Sequence, residues 1–188
     1  MKKWQQNIEI KAQSLLKEAG YNGSPLKIDI ESFAKHHGFE IKEYDFKTNE
    51  INSDTISGAL VVQNGIKTIG VNSTESTQRI RFTIAHELGH FFLNHGMKDG
   101  IKLDTYKLYR NVDSAMGFKE EEIQANAFAA ALLMPQNYLL NEFERLANIH
   151  FDNLKIIEEL AESFFVSQIS MSYRLNRLGL METDKYIF

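Results

Sequence analysis

The chain has 188 residues, 43% of them hydrophobic, which is enough to bury one core with a small appended helical unit. Its 21 basic and 25 acidic side chains give a net charge of −4, which excludes a global positive field that would attract nucleic acid or anionic lipid. The sequence contains no cysteine, which excludes a disulfide framework, a thiolate zinc site and a cysteine nucleophile, so any metal must be bound by His, Asp or Glu.

The sequence also argues against secretion and against a membrane span. Glu9, Lys11 and Gln13 interrupt what would have to be the apolar core of a signal peptide. The longest apolar run, Ala127 to Met134, is far shorter than the roughly 20 helical residues that cross a bilayer. We therefore expect a cytoplasmic protein that does not bind membranes.

Two helices and a strand are predicted in the first quarter of the chain. Apolar residues recur at three- and four-residue steps over residues 4–19, and Gly20 can end this helix in a left-handed conformation. A shorter helix fits from its N-cap, Asp29, to His37. Residues 39–46 then alternate in polarity, which predicts a strand.

A β-hairpin and a long helix are predicted next. Segments 58–62 and 67–71 flank the dipeptide Asn64-Gly65, which is typical of a tight hairpin turn. Polar residues 72–75 offer several N-caps for a long helix that runs from about residue 75 to Leu93.

The remainder of the chain is predicted to be mostly helical. Residues 97–117 show no clear periodicity. A helix is predicted from Lys119 to Met134, and Pro135 ends it because proline lacks an amide donor and restricts the residue before it. Three more helices are predicted, namely 143–149, 154–164 and 167–178, the last with Ser167 as N-cap and Gly179 as C-cap.

These elements predict an α+β fold that is mostly helical. A small β-sheet or hairpin precedes the long helix, and the C-terminal segment has the outline of a helix-turn-helix. We expect residues 1–140 to form the main domain and residues 141–188 to form a helical segment packed on it.

The predicted long helix contains the motif His86-Glu87-Leu88-Gly89-His90. Side chains four residues apart lie on one face of a helix, about 5–6 Å from each other, so the two histidines can bind one zinc ion. Glu87 projects in a neighbouring direction and can accept a proton from an attacking water molecule. The alternative is a chance match, but the apolar residues around the motif predict a buried helix, where polar groups need partners.

A third protein ligand is required, because catalytic zinc usually has three. The best candidate is Glu122, four residues before Asn126 on a helix whose apolar residues continue along the same face. Asn126 would then accept a hydrogen bond from the outer N–H of a ligand histidine and fix its tautomer. Glu120 and Glu121 are expected to point elsewhere. The sequence leaves open that Glu122 is only a helix N-terminal carboxylate and that Asn126 faces solvent.

Two segments resemble the ImmA/IrrE metallopeptidases: residues 81–90, which contain the motif, and residues 122–135, which begin Glu122-Ile123-Gln124-Ala125-Asn126. The resemblance covers roughly the whole chain and is weakest over residues 97–117. It implies that His86, His90 and Glu122 bind zinc, and residues 1–140 would then be a zinc metallopeptidase domain with one zinc ion per chain. It also implies cleavage of helix-turn-helix repressors of phages, mobile elements or stress regulons, which would derepress silenced genes.

A peptidase site also needs a surface that holds the substrate backbone and a donor that stabilises the oxyanion. The strand predicted at 67–71 is a candidate for pairing with an extended substrate backbone. A donor to the oxyanion of the tetrahedral intermediate is also expected. The spacing of Tyr106, Tyr109, His95 and His150 selects none of them, and His95 is interpreted as a cation at a helix C-terminus.

The alternative function is a transcriptional regulator without proteolytic activity, which binds DNA or a repressor through residues 154–180. Arg174 and Arg177, with Gln168 and Asn176, could contact bases and phosphates. The acidic residues Asp152, Glu158, Glu159 and Glu162 outnumber the cations of residues 152–180, so a scaffold or a repressor-docking surface is favoured over DNA binding.

Overall fold

The computed structural model describes residues 2–22, 26–45, 56–95, 100–105, 116–149 and 152–182. Within these residues the chain forms seven helices and four strands. The helices are α1 (Lys3–Glu18), α2 (Ile30–His36), α3 (Thr77–Phe92), α4 (Met116–Leu133), α5 (Gln136–Ala147), α6 (Asn153–Phe164) and α7 (Gln168–Leu178). The strands are β1 (Phe39–Tyr44), β2 (Ile56–Gln63), β3 (Ile66–Asn72) and β4 (Gly100–Thr105). The predicted α+β class, with few strands and many helices, is confirmed.

The chain folds into two compact units. One comprises Met1–Ile28 and Ala130–Phe188, and the other comprises Asp29–Ala129, so the division falls inside α4. The domain boundary predicted at residue 140, between the main domain and the C-terminal helical segment, stays a prediction. None of the helices in the described part of the chain combines the length and apolar character needed to cross a lipid bilayer.

The Asp29–Ala129 unit contains a four-stranded sheet in the order β1-β3-β2-β4. β2 and β3 form the predicted hairpin, and both turn residues, Asn64 and Gly65, have positive φ angles of 51° and 79°. A type I′ turn requires this conformation at both positions, which explains the choice of Asn and Gly. β1 pairs with β3 in parallel, and β4 pairs with β2 antiparallel.

The proposed pairing of residues 67–71 with a substrate is wrong. These residues belong to β3, which is hydrogen-bonded to β1 on one side and to β2 on the other. A strand that is paired on both sides has no backbone donors or acceptors left for another chain. The end of the sheet next to β2 is β4, a strand that the irregular pattern of residues 97–117 did not predict.

Helices α2 and α3 pack against this sheet. Their N-caps satisfy backbone donors at the first turns: Asp29 accepts from the Ser32 amide and Ser76 accepts from the Arg79 amide. Ser76 directly follows residues 72–75, which were predicted as the N-cap candidates of this long helix. Large apolar side chains of these helices and strands are fully buried, each stabilising the fold by about 1.5–3 kcal/mol. They include Ile30, Phe33, Leu60, Ile69, Ile84 and Leu88.

The other unit is helical, and it differs from the prediction at α5. This helix was expected at residues 143–149, but it begins at Gln136, directly after Pro135. Pro135 follows the end of α4 after one intervening residue and serves as the N-cap of α5, so only Met134 and Pro135 separate the two helices. Leu139 and Leu146, one on each side of the predicted start, are both buried.

The helix-turn-helix outline of α6 and α7 is confirmed. Phe165 adopts a left-handed conformation at the end of α6, and the Ser167 side chain caps α7 by accepting from the Ser170 amide. Gly179 ends α7 with a φ angle of 70°. Arg174 points inward, with its side chain fully buried, and donates hydrogen bonds to Glu9 and to the carbonyl oxygen of Met134.

Candidate metal centre

Three side chains from two helices converge in the Asp29–Ala129 unit. The Nε2 atoms of His86 and His90 on α3 lie 2.9 Å apart. Each of them lies 3.1 Å from an oxygen of the Glu122 carboxylate on α4. All three residues are buried, with 3%, 0% and 4% of their surfaces exposed. The three predicted ligands therefore present one atom each to a common point, and these atoms lie within 4.8 Å of one another.

The glycine of the motif lets α4 approach α3 closely. A Cβ atom at Gly89 would lie 3.1 Å from both the Cα atom and the carbonyl oxygen of Ala125. It would also lie 3.3 Å from the Cβ atom of Phe128. Small residues at 89 and 125 bring the backbones together, and Glu122, one turn before Ala125, thereby reaches the two histidines.

His86 is held in one tautomer by α4. Its Nδ1 atom lies 3.0 Å from the side-chain oxygen of Asn126. This oxygen accepts hydrogen bonds and cannot donate one, so the His86 proton is on Nδ1 and the lone pair is on Nε2. The hydrogen bond predicted for Asn126 is thus present, and the metal ligation that it would support stays a prediction.

His90 makes the corresponding contact with another histidine. Its Nδ1 atom lies 3.1 Å from Nδ1 of His95, and Nε2 of His95 lies 3.1 Å from the side-chain oxygen of Gln124. His95 is 5% exposed. It is therefore enclosed and packs against a predicted ligand, while its interpretation as a cation stays a prediction.

The carboxyl group of Glu122 is ionised at neutral pH. Burial raises its pKa, but the neighbouring imidazoles of His86 and His90 outweigh this effect and hold the pKa well below its usual range. One negative charge and two neutral nitrogen donors are a common ligand set for a divalent metal ion, and zinc is bound in this way by two histidines and one glutamate in several peptidases. The residues present fit a metal ion of this kind.

Glu87 is buried on the same helix, with none of its surface exposed. One of its carboxylate oxygens would lie 3.2 Å from a Cβ atom placed on Gly58 of β2. The absence of a side chain at Gly58 therefore makes room for Glu87. Among the described residues, Glu87 does not belong to the group of three converging ligand atoms, which is consistent with a separate role in proton transfer.

The structure describes some of the other candidate residues but not all of them. Glu120 is exposed and Glu121 is half-buried, so neither takes the place of Glu122. Tyr106, Tyr109 and His150, considered as oxyanion donors, lie outside the described residues. Sequence reasoning did not assign a role to Gln124 or to His95 beside the ligands. The signal that could have found His95 is Asn94, a residue type that often follows a helix in the left-handed conformation.

Comparison with known proteins gives two similarities. The sequence profile of the IrrE N-terminal-like domain matches residues 34–176, which is more than half of the chain. The chain is 27% identical over 175 residues to "Metallopeptidase ImmA" of Bacillus subtilis (strain 168), and the match covers 88% of this chain and 93% of that protein. His86, His90 and Glu122, which converge in the centre, and Glu87 beside them all lie inside the profile match.

Proposed function

Since the chain belongs to the IrrE N-terminal-like family of metallopeptidases, we propose that it is a zinc-dependent endopeptidase. In this proposal His86, His90 and Glu122 hold one zinc ion per chain, and Glu87 is the catalytic base. The observation that carries the proposal is the convergence of three buried ligand atoms from α3 and α4. Zinc fits this donor set in number, in chemistry and in charge.

A zinc ion held by His86, His90 and Glu122 would supply Lewis acidity, which would lower the pKa of a water molecule and polarise the substrate carbonyl. Glu87 accepts a proton from the attacking water and later donates it to the leaving amine. Its burial against Gly58 excludes bulk water from the carboxylate. Asn126 keeps the His86 lone pair on Nε2, where it is needed.

We further propose that an extended substrate pairs with β4. This strand stands at the end of the sheet, whereas β3 is paired on both sides. The register places Asp104 of β4 opposite Gly58 of β2, which itself lies next to Glu87. A peptide added to β4 would lie two strand spacings, about 10 Å, from Gly58 beside the proposed base, held by backbone hydrogen bonds that require little sequence specificity.

The substrate that we propose is a helix-turn-helix repressor, cleaved in the cytoplasm to derepress phage, mobile-element or stress genes. Support for this substrate is the resemblance to the ImmA/IrrE metallopeptidases. Direct DNA binding by α7 has less support from the structure than it has from the sequence alone. Arg174, one of its two candidate cations, is buried in an ion pair with Glu9, and the exposed face of α7 carries Ile169 and Tyr173. Such a face suits a protein partner better than a phosphate backbone.

The test separates the peptidase from its proposed substrate. The zinc-loaded protein is incubated with a library of unstructured peptides and, separately, with a candidate helix-turn-helix repressor. Mass spectrometry then identifies the fragments. We expect cleavage in both reactions, loss of cleavage on chelation and recovery when zinc is added back.

The matched control is Glu87→Gln, which keeps the size and burial of the side chain but cannot accept the proton. We expect it to bind zinc normally and to lose cleavage. Cleavage of peptides but not of the repressor would reject the substrate alone. Cleavage by Glu87→Gln at the normal rate would reject Glu87 as the base, and a wild-type protein that binds no zinc would reject the proposal as a whole.

A further inference from the structure

The contact between the rings of His90 and His95 points to a role for a residue outside the HExxH motif. We propose that His95 and Gln124 are positioning residues that hold His90 in the tautomer able to bind the metal. This inference rests on the zinc ligation proposed above. It assigns two residues that neither ligate the metal nor contact a substrate.

The end of α3 explains how His95 reaches His90. Asn94 adopts a left-handed conformation with a φ angle of 57°. The chain turns back, and the His95 amide donates to the His90 carbonyl at 3.0 Å while the Asn94 amide donates to the Phe91 carbonyl at 3.1 Å. These two bonds define a Schellman motif, in which the second residue after the C-cap lies beside the third-last residue of the helix. That place usually holds an apolar contact, but here it holds two imidazoles.

The direction of the hydrogen bonds follows from what each atom can donate. To bind a metal through Nε2, a neutral His90 must carry its proton on Nδ1. That proton is donated to Nδ1 of His95, 3.1 Å away, which must then carry a lone pair. The His95 proton is consequently on Nε2 and is donated to the Gln124 oxygen, also at 3.1 Å.

The two ligand histidines are thus supported in parallel ways from α4. His86 donates directly to the side-chain oxygen of Asn126, and His90 donates to His95, which in turn donates to the side-chain oxygen of Gln124. Each of these chains of hydrogen bonds ends on a carboxamide oxygen, which can only accept a hydrogen bond. The donor-to-acceptor direction of both hydrogen-bond chains is therefore set by α4, the same helix that provides Glu122.

An alternative use of the same atoms is a second metal site. His90, His95 and Glu121 also bring ligand atoms within 4.8 Å of one another. To serve both sites, the ring of His90 would have to lose both of its protons. Neutral imidazole retains one proton on its ring, so a hydrogen bond to His95 is favoured over a shared ligand.

The experiment measures zinc affinity by competition with a chelator in four proteins. His95→Phe keeps an aromatic ring but removes both ring nitrogens, whereas His95→Asn keeps an acceptor oxygen close to the position of Nδ1. The control is His36→Phe, at an exposed position on α2. We expect His95→Phe to bind zinc about 10- to 100-fold more weakly than wild type, as is typical when a partner of a ligand histidine is removed. His95→Asn should recover most of this loss, and His36→Phe should bind like wild type.

The spectroscopic readout is the protonation pattern of the ring nitrogens in the zinc-loaded wild-type protein, measured by long-range ¹⁵N–¹H correlation. We expect a proton on Nδ1 of His90 and a proton on Nε2 of His95. This measurement decides the matter even if His95→Phe does not fold. A proton on Nδ1 of His95, undiminished zinc affinity in a folded His95→Phe variant, or two zinc ions per chain reduced to one by Glu121→Gln would each overturn the inference. A wild-type protein without zinc affinity would overturn the proposed function as well.

Discussion

Gly89 on α3 packs directly against the backbone of Ala125 on α4, so closely that a methyl group in its place would require the helices to separate by a few tenths of an ångström. In an open helix Gly→Ala stabilises by about 1 kcal/mol through helix propensity. At residue 89 the added Cβ would meet the Cα atom and carbonyl oxygen of Ala125 at 3.1 Å, and α4 would have to move away.

We therefore expect Gly89→Ala to lose the stabilisation that helix propensity predicts and to bind zinc more weakly, because Glu122 moves with α4. Urea unfolding and zinc competition measure the two effects. Ala125→Gly should not restore either, since the clash is with backbone atoms that glycine also has. A gain of about 1 kcal/mol with unchanged zinc affinity would show that the helices do not depend on this contact.

The second prediction concerns Gly58 on β2, which faces Thr83 and Glu87 of α3. A Cβ at residue 58 would overlap the methyl group of Thr83 and approach a Glu87 oxygen to 3.2 Å. We expect Gly58→Ala to destabilise the fold by about 1–3 kcal/mol, as overpacking does in a buried site. Peptidase activity should fall as well, because the Glu87 carboxylate is displaced.

Thr83→Ser is the matched partner change, because it removes the obstructing methyl group and keeps the hydroxyl. A double-mutant cycle measured by urea unfolding should show that Thr83→Ser recovers stability in the Gly58→Ala background, with a coupling of about 0.5–3 kcal/mol. Activity should recover less than stability, since the contact with Glu87 remains. Strict additivity of the two changes would contradict the packing described for this strand and helix.

The third prediction is a pH dependence at the start of α2. The pKa of Asp29 is lowered, chiefly by the hydrogen bond from the Ser32 amide and then by the Ser32 hydroxyl. A carboxyl group whose pKa is lower in the folded state stabilises the fold above its unfolded pKa, near 3.8, and this contribution is lost as the pH falls through the folded value. Asp29→Ala should cost about 1 kcal/mol at pH 7, the usual effect of losing an N-cap.

Urea unfolding of wild type and Asp29→Ala at several pH values checks this. The difference between the two proteins should shrink below about pH 4, where Asp29 begins to be protonated in the unfolded chain. Asp29→Asn is the control, because asparagine caps helices as well as aspartate does but does not titrate. A difference between wild type and Asp29→Ala that grows as the pH falls would contradict the assignment.

The parts of the centre that could be predicted from the sequence are those fixed by spacing within a helix. His86 and His90 had to share a face because they are four residues apart, and Glu122 and Asn126 had to share one for the same reason. The identity of Asn126 as the partner of a ligand histidine followed from its neutral oxygen acceptor. These predictions needed only the helical repeat and the hydrogen-bonding capacity of each side chain.

The parts that could not be predicted depend on the backbone beyond a helix end or on pairing between distant segments. The position of His95 beside His90 depends on the left-handed conformation of a single residue, Asn94. The place of β3 in the interior of the sheet depends on its parallel pairing with β1, which no local pattern encodes. The register of β4 against β2 is likewise set across some forty residues of chain. Residues 101–104 do alternate in polarity, but four residues inside the irregular stretch 97–117 are too few to predict a strand.

The last prediction concerns Arg174 in the helical unit. Its guanidinium group is fully buried and donates to Glu9 and to the Met134 carbonyl, whereas the Glu9 side chain is 14% exposed. The pKa of Arg177 is lowered, first by burial and then by the positive charge of Arg174, while the negative charge of Glu9 opposes this shift. Glu9 is therefore the counter-charge for Arg174, and its charge also acts on Arg177.

Removing Glu9 should cost more than removing the ion pair as a whole. We expect Glu9→Leu to destabilise the unit by about 3–5 kcal/mol, because it leaves a buried cation without a counter-charge. The double variant Glu9→Leu/Arg174→Met should be more stable than Glu9→Leu alone, since it removes the buried charge as well. Urea unfolding followed by the fluorescence of Trp4, the one tryptophan of the chain, reports on α1, where Glu9 lies. A double variant less stable than Glu9→Leu would mean that the two hydrogen bonds from Arg174 to the Met134 carbonyl, and not the charge pair, stabilise this helical unit.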